Sequence, residues 1–394
     1  MHYPIPQISL FGKSILASLL LLGSLPVMAA DHGSSIKMTD PATFNIDQEE
    51  IQSIQARMQA AVKDGHIAGA LLLVGNDDGV GLLLSEGTQG PNDNTPVDQE
   101  TLFRIYSMTK PIISVAAMSL VEDGLLRVED PVSKYIPEFA NMEVLNQETG
   151  ERRPAQTVMT VEHLLTHKSG LVQGIFAAGT PLGKLYDEQI PSDGSLTALE
   201  VAQRLGKLPL MFEPGTTWHY GHSTDVLGAV LEVAAGKPLD ALLQERIFDP
   251  LGMDETSFYV PASKAARIAE PIHGAMSDNT IVRPFLSGGG GLNSTTEDYT
   301  RFANMLLNGG EYRGARIIKE ETLDLMTEKR IGPDVSREHF FYGNQGNWSM
   351  GFHLQPTEGS PDGAHNFGWR GIGGTLFLVD RENDFFLIYM EQKR

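Results

Sequence analysis

The stretch Phe103–Leu126, "FRIYSMTKPIISVAAMSLVEDGLL", has the apolar pattern of a buried helix but carries Ser107 and Lys110 near its start. Residues three apart lie on the same face of a helix, so the two side chains are predicted to be neighbours. A serine hydroxyl is a poor nucleophile until a base removes its proton, and a lysine with a lowered pKa can act as that base. The alternative is structural, with Ser107 as an N-cap and Lys110 at the surface.

Length, charge and composition limit the classes of function. The chain has 394 residues and a net charge of −20, and single cores rarely exceed roughly 250–300 residues, so two lobes are expected. An acidic protein repels phosphate backbones, which argues against a nucleic-acid partner. The sequence has no cysteine, which excludes a thiol nucleophile, disulfide bonds and a thiolate metal site.

Residues 1–30 have the composition of a secretory signal peptide. They contain one lysine, Lys13, then an apolar run, and end in the small residues Ala29 and Ala30. The run is interrupted by polar residues, glycine and proline, and it is shorter than the ~20 apolar residues that a membrane span needs. We therefore expect cleavage, no stable membrane anchor afterwards, and a secreted or periplasmic protein.

Predicted strands lie at both ends of the mature sequence. Two apolar runs separated by Asn76–Gly79 predict a hairpin, and "GGTLFLVD" and "FFLIYMEQ" predict two strands near the other end. The stretch between them is mostly helical in character. This pattern predicts an α/β (α+β) lobe built from residues 31–129 and 285–394, with an inserted helical lobe over residues 130–284.

A run of four glycines, Gly288–Gly291, precedes the segment "LNSTTEDYTRFANML". It lacks the lysine and hydroxyl residue of a phosphate-binding loop. We predict a structural role, either a tight turn or a close approach of two backbones, and a capping box formed by Ser294 and Glu297 at the start of the next helix.

Histidine-based chemistry has little support in the sequence. No G-x-S-x-G pentapeptide is present, so an α/β-hydrolase triad is not indicated. His163 and His167 are four residues apart and could bind a metal from one helix face, but Leu164 stands where metalloproteases carry glutamate. We predict no metal site.

Two further motifs accompany the serine and the lysine, "PGTTWHYGHSTDVLGAVLEV" and "HNFGWRGIGGTLFLVD". With these, the sequence resembles the serine β-lactamase-related superfamily, in particular class C β-lactamases and family VIII carboxylesterases. The S-x-x-K motif of the family matches Ser107–Lys110, its Y-x-N motif falls on Tyr220–His222, and its K-T-G motif falls on Trp369–Gly371. The resemblance extends from about residue 48 to the last residue.

The resemblance implies a fold, a mechanism and a set of roles. The fold is the β-lactamase/transpeptidase-like one, an antiparallel sheet flanked by helices with an inserted, mostly helical lobe. Ser107 is the nucleophile, Lys110 and Tyr220 share removal of its proton, and the backbone N–H groups of Ser107 and Ile372 bind the oxyanion. Tyr220 then serves as the base for the attacking water, and no cofactor or metal is required.

The sequence departs from a β-lactamase where the antibiotic would be held. His222 replaces the asparagine that binds the side-chain amide, and Trp369 replaces the lysine that attracts the carboxylate. Trp369 offers an apolar face that suits an acyl or alcohol chain, while Arg370 could restore the missing charge. Trp369 and Gly371 give the W-x-G form that the esterases favour.

We therefore expect a secreted serine hydrolase that cleaves short-chain carboxylic esters through an acyl-enzyme on Ser107. The alternatives are a β-lactamase, a D-amino-acid peptidase or an acyl transferase of the same fold, or a catalytically silent penicillin-recognising binding protein. The expected ligand is a small ester or amide. The sequence leaves the natural substrate and the oligomeric state open.

Overall fold

The computed structural model describes residues 37–44, 46–356, 363 and 366–393. The predicted signal peptide, residues 1–30, lies outside them. Ile36–Arg394 groups as one compact unit, and the lobe boundaries stay a prediction. Within the described ranges, no helix is both long enough and apolar enough to cross a membrane.

The main sheet combines strands from both ends of the described chain. Its seven strands are antiparallel and follow the order β2-β1-β13-β12-β11-β10-β9 when all strands are numbered along the chain. The remaining strands form three separate pairs, β3–β6, β4–β5 and β7–β8. The strands are β1 (Gly69–Asn76), β2 (Gly79–Gly87), β3 (Phe103–Arg104), β4 (Glu143–Leu145), β5 (Arg152–Pro154), β6 (Asn293–Ser294), β7 (Glu311–Tyr312), β8 (Ala315–Arg316), β9 (Asn347–Trp348), β10 (His353–Leu354), β11 (Asn366–Arg370), β12 (Leu376–Asp380) and β13 (Phe385–Glu391).

Most of the described helices follow α2 in the middle of the sequence, where the helical insertion is predicted. Short 3₁₀ turns connect several elements, and the turn at Tyr106–Met108 leads directly into α2. The α-helices are α1 (Gln48–Lys63), α2 (Thr109–Glu122), α3 (Val161–Leu165), α4 (Pro181–Gln189), α5 (Ala198–Leu205), α6 (Ser223–Ala235), α7 (Leu239–Leu243), α8 (Asp249–Leu251), α9 (Thr296–Leu307) and α10 (Glu320–Met326).

Helices cover both faces of the sheet. The predicted hairpin is present as β1 and β2, and alternate residues of β1 point to opposite faces, so the strand is apolar throughout. Leu72 belongs to a core with Met58 of α1, whereas Leu71 belongs to the main core. On that second face Tyr299 of α9 packs against Phe377 of β12, with their ring centroids 5.0 Å apart.

The stretch Phe103–Leu126 contains a helix segment that is buried throughout. Residues 109–120 of α2 are all buried, which agrees with a helix that is apolar on every side. Lys110 is only 3% exposed, so its interpretation as a surface residue is wrong. Ser107 is not the N-cap either, because that position belongs to Met108, which makes no side-chain capping bond.

The capping box predicted from Ser294 and Glu297 is wrong, and the N-cap of α9 is the next residue along the chain. Thr295, not Ser294, is the N-cap, and its hydroxyl accepts a hydrogen bond from the Asp298 backbone N–H at 3.1 Å. Ser294 instead pairs in β6 with Phe103 of β3. Several adjacent residues in "NSTTED" can cap a helix, and strand pairing decides which of them does so.

Candidate active site

The turn that carries Ser107 has unusual backbone geometry. Tyr106, which directly precedes the serine, has a φ of +43°, in the left-handed region that non-glycine residues rarely occupy. Ser107 is partly exposed, while Met108 below it is buried. Such conformations cost free energy and concentrate at functional sites, so the geometry agrees with the role predicted for the serine.

Lys110 points at the serine from the first turn of α2. Its Nζ atom donates a hydrogen bond to Ser107 Oγ at 3.1 Å and a second one to the Gly289 carbonyl. The same Nζ lies 4.5 Å from the centroid of the Tyr220 ring. A buried amine needs such acceptors to offset the loss of water, and here they fix it beside Ser107.

Tyr220 lies on the segment before α6 and is held by the sheet. Its hydroxyl oxygen accepts a hydrogen bond from Trp369 Nε1 of β11 at 3.0 Å. Tyr220 and Trp369 are each 4% exposed. The apolar face expected to meet substrate is therefore largely covered, because the indole packs beside the tyrosine and donates its N–H to the phenol.

Buried aromatic rings surround the tyrosine. The ring centroids of Tyr220 and His167 are 4.6 Å apart, and that of Trp218 lies 6.1 Å away. His167 is fully buried, and desolvation, reinforced by the positive charge of Lys110, holds the pKa of its imidazole well below the usual range. His167 is therefore neutral and gives Tyr220 a rigid wall.

The outer side of the tyrosine is more open. Phe176 meets the Tyr220 ring edge-on with centroids 5.0 Å apart, and Phe341 lies at 5.4 Å. Phe341 is 47% exposed and Ile372 is 65% exposed. Phe341 is therefore an accessible apolar side chain beside the predicted base, and Ile372 is accessible in the loop after β11.

His222 is held by a carboxylate. Its Nδ1 atom is hydrogen-bonded to Asp225 Oδ2 at 2.8 Å, and the residue is 8% exposed. Burial alone would raise the pKa of Asp225, but hydrogen bonds from His222 and Ser287, with the positive charge of Lys110, lower it to about 2. The carboxylate is ionised and accepts only, so Nδ1 carries the proton.

The loop after β11 lies against the turn that carries Ser107. A Cβ atom on Gly371 would lie 2.4 Å from the Ile105 carbonyl oxygen, and one on Gly373 would lie 2.8 Å from the Tyr106 ring. Only glycine permits this approach. The Ile372 N–H makes no hydrogen bond to another described residue, and its pairing with the Ser107 amide as an oxyanion hole stays a prediction.

Arg370 is the last residue of β11 and is exposed. Its guanidinium carbon lies 5.4 Å from the Tyr342 ring centroid, and that ring stacks on His353 with centroids 3.9 Å apart. Desolvation raises the pKa of Tyr342, and the positive charge of Arg370 opposes the rise. Arg370 is thus a cation near the mouth of the site, fixed over an aromatic ring.

The two histidines considered as metal ligands make separate structural contacts. His163 Nδ1 accepts a hydrogen bond from the Thr160 backbone N–H at 3.2 Å and closes the start of α3, whereas His167 packs on Tyr220. In the part of the chain that the structure describes, no group of three or more histidine, cysteine, aspartate or glutamate residues could hold a metal.

With this geometry established, comparison with known proteins identifies the family. Residues 54–394 match the family model described as Beta-lactamase. The chain belongs to the beta-lactamase family. The resemblance inferred from the three motifs, the predicted fold and the prediction of a hydrolase-type enzyme are thereby confirmed at the level of the family.

The proteins similar to this member of the beta-lactamase family include an uncharacterized protein, an esterase and a hydrolase. An uncharacterized protein of Mycobacterium tuberculosis is 33% identical over 86% of this chain and 89% of its own length. Esterase EstB of Burkholderia gladioli is 27% identical over 87% of this chain and 90% of its own. The solved structure of EstCE1, a hydrolase with promiscuous acyltransferase activity, aligns with a TM-score of 0.72 at 23% identity, covering 89% of this chain and 94% of that one.

The structure places three residues at the site that the beta-lactamase motifs did not predict. Asp225 follows His222 by one helical turn, so the spacing in "HSTD" was a usable signal. Phe341 and Tyr342 lie in the aromatic cluster "HFFYG". That cluster is distant in sequence from every motif, and only the fold shows that it borders Tyr220.

Proposed function

We propose that the protein is a serine hydrolase that cleaves short-chain carboxylic esters through an acyl-enzyme on Ser107. The observation that carries the proposal is the 3.1 Å hydrogen bond between Lys110 Nζ and Ser107 Oγ, with the Tyr220 ring 4.5 Å from the same nitrogen. A nucleophile within hydrogen-bond reach of its base, itself fixed by further groups, is the arrangement that nucleophilic catalysis requires.

In the first half-reaction Ser107 Oγ attacks the ester carbonyl carbon and its proton passes to the Lys110–Tyr220 unit. The oxyanion is bound by the N–H groups of Ser107 and Ile372. When the tetrahedral intermediate collapses, the carbon–oxygen bond to the alcohol breaks, and the alcohol takes the proton. Water then attacks the acyl carbon while Tyr220 accepts its proton. The bond between that carbon and Ser107 Oγ breaks, the proton returns to Oγ, and the carboxylic acid leaves.

The surroundings of the serine favour esters with apolar acyl groups over β-lactams. His222 Nδ1 is bound to Asp225, and the Trp369 N–H is bound to Tyr220, so neither group is free to hold an antibiotic. Phe341 and Ile372 provide accessible apolar surface instead. Each methylene buried on such surface contributes about 0.8 kcal/mol.

Similarity to Esterase EstB over 87% of this chain supports ester hydrolysis. Acyl transfer is a second candidate, because EstCE1 is described as a hydrolase with promiscuous acyltransferase activity. An accessible apolar mouth beside Ser107 would also suit an acceptor alcohol that competes with water for the acyl-enzyme.

The proposal includes export from the cytoplasm, on the basis of the signal-like composition of residues 1–30. Expression of the full chain in a bacterial host, followed by cell fractionation, tests this point. Recovery of the protein in the periplasm or medium, shortened at its N-terminus, is the expected result. Full-length protein in the cytoplasm would contradict it.

The test of activity uses a substrate panel and a covalent probe. The purified protein should hydrolyse p-nitrophenyl acetate and butyrate with a higher kcat/KM than a chromogenic cephalosporin. A fluorophosphonate should label Ser107, as located by mass spectrometry, and a folded Ser107→Ala variant should show neither labelling nor turnover. A higher kcat/KM for the cephalosporin would refute the esterase proposal, and turnover by Ser107→Ala would refute the nucleophile.

A further inference from the structure

A buried carboxylate lies on the first turn of α6, close to the catalytic groups. Asp225 is 6% exposed. Its oxygens are hydrogen-bonded to His222 Nδ1 at 2.8 Å, to Ser287 Oγ at 2.6 Å and to the Gly289 backbone N–H at 2.9 Å. A buried anion is costly unless it is fully hydrogen-bonded, and three donors from two chain segments meet that requirement.

Gly289 connects this carboxylate to the lysine. Its N–H donates to Asp225, and its carbonyl accepts a hydrogen bond from Lys110 Nζ. A Cβ atom on Gly289 would lie 2.9 Å from both carboxylate oxygens, and one on Gly288 would lie 2.5 Å from the Thr224 carbonyl oxygen. The run of glycines therefore allows the backbone to approach α6 closely enough to reach the carboxylate and the lysine together.

The charges of Lys110 and Asp225 also support a link between the two residues. Lys110 forms no ion pair with an acidic side chain among the described residues. Its positive charge is one of the causes that, after the hydrogen bonds from His222 and Ser287, hold the pKa of Asp225 at about 2, so the carboxylate is ionised throughout the neutral range. A lysine and an aspartate, both buried, therefore balance one another across a single glycine residue.

We propose that Asp225 is a positioning residue for the reaction: it holds the Gly289 carbonyl against Lys110, which keeps Nζ within hydrogen-bond reach of Ser107. The proposal rests on the proposed ester hydrolysis. It adds to that site a residue that acts through Lys110 and does not touch the substrate. His222 is the partner of the carboxylate and does not serve as a substrate ligand through Nδ1.

The variant Asp225→Asn removes the charge with little change in shape. It should lower kcat by about 10²-fold, the cost of a small misplacement of a catalytic group. KM should change little, because Asp225 touches no substrate. Asp298→Asn is the matched control: Asp298 is also buried, at 2% exposure, but it binds the Glu255 N–H and Thr256.

The pH profile separates charge from packing. The ionisable groups around the lysine and the carboxylate are Tyr220, whose ring lies 4.5 Å from Lys110 Nζ, His167, which the lysine charge reaches, and His222, which is hydrogen-bonded to Asp225. Tyr342 interacts in turn with Tyr220 and Arg370. Loss of a nearby anion favours the deprotonated form of every such group. Both limbs of the kcat/KM profile should therefore move to lower pH in Asp225→Asn, by about one pH unit.

A measurement that needs no turnover completes the test. The Gly289 amide should exchange with deuterium roughly tenfold faster, or more, in Asp225→Asn than in wild type, and at the wild-type rate in Asp298→Asn. Ser287→Ala removes one hydrogen bond but keeps the charge. It should lower kcat less, accelerate exchange partly and leave the pH limbs in place, and it decides the matter if Asp225→Asn does not fold.

The outcomes are distinct. Wild-type exchange at Gly289 in Asp225→Asn, or in Ser287→Ala when only that variant folds, would overturn the positioning role whether or not the protein hydrolyses esters. A lower kcat with unmoved pH limbs in a folded Asp225→Asn would overturn the electrostatic part. A wild type that turns over no ester would end the proposed function, while the exchange rates would still decide whether Asp225 holds the glycine segment.

Discussion

The hydrogen bond from Trp369 to Tyr220 leads to a quantitative prediction. Trp369→Phe keeps an aromatic ring in β11 but removes the N–H group that donates to the tyrosine oxygen at 3.0 Å. In the proposed mechanism that oxygen carries negative charge in the form of the Lys110–Tyr220 unit that is ready to accept the proton of Ser107. A hydrogen bond to a charged group contributes about 1.5–3 kcal/mol.

At about 1.4 kcal/mol per tenfold in rate, kcat/KM for p-nitrophenyl butyrate should fall by roughly 10- to 150-fold. The acid limb of the profile should also move to higher pH, because the charged oxygen has lost a donor. Trp348→Phe is the matched control. Trp348 is buried and packs edge-on against Trp369 with centroids 4.6 Å apart, but its N–H donates to the Leu165 carbonyl at 3.3 Å.

Thermal unfolding of both variants measures the cost of the lost ring volume, which the two share. Activity then isolates the hydrogen bond. If Trp369→Phe were no less active than Trp348→Phe, or if its acid limb stayed in place, the indole N–H would not stabilise charge on Tyr220. The reasoning from the 3.0 Å contact would then be wrong.

Three other predictions address the relay, the mouth and the fold. Lys110→Ala and Tyr220→Phe should each lower kcat/KM by about 10²–10⁴-fold, and the double variant should lose little more, whereas multiplying losses would exclude a shared relay. Phe341→Ala should reduce the butyrate-to-acetate ratio of kcat/KM by about fourfold, the contribution of one buried methylene; an unchanged ratio would remove it from the acyl site. Desolvation lowers the pKa of His163 and of His219 to about 4, so the unfolded chain takes up their protons first as pH falls. Each should reduce the free energy of unfolding by up to about 1.4 kcal/mol per pH unit as pH falls from about 6.5 to 4, with stability retained above that range. In urea unfolding, His163→Gln should lose less stability per pH unit than wild type, and an equal loss would refute the lowered pKa of His163.

Sequence reasoning succeeded where the chemistry is local. Ser107 and Lys110 are three residues apart, a spacing that keeps them neighbours where the 3₁₀ turn leads into α2. Tyr220 and Trp369 are 149 residues apart and meet by a side-chain hydrogen bond, and only the motif resemblance suggested that both belong to one site.

The sequence could not predict contacts that depend on how distant segments pack together. The glycine run was predicted to form a turn or a close approach of two backbones. The sequence does not show that Gly289 is hydrogen-bonded to both Asp225 and Lys110. The direction of the Trp369 side chain was equally hidden. A strand pattern gives the face of a residue but not the partner that its N–H finds on another element.

The pairing of β1 with β13 has a consequence for how the protein is made. These strands come from opposite ends of the described chain, and they are hydrogen-bonded neighbours in the middle of the sheet. Contacts between such distant segments slow folding, because a long loop must close before they form. During synthesis β1 and β2 leave the ribosome long before their partner exists, with an unpaired strand edge exposed. The nascent chain should therefore depend on chaperones until β13 emerges.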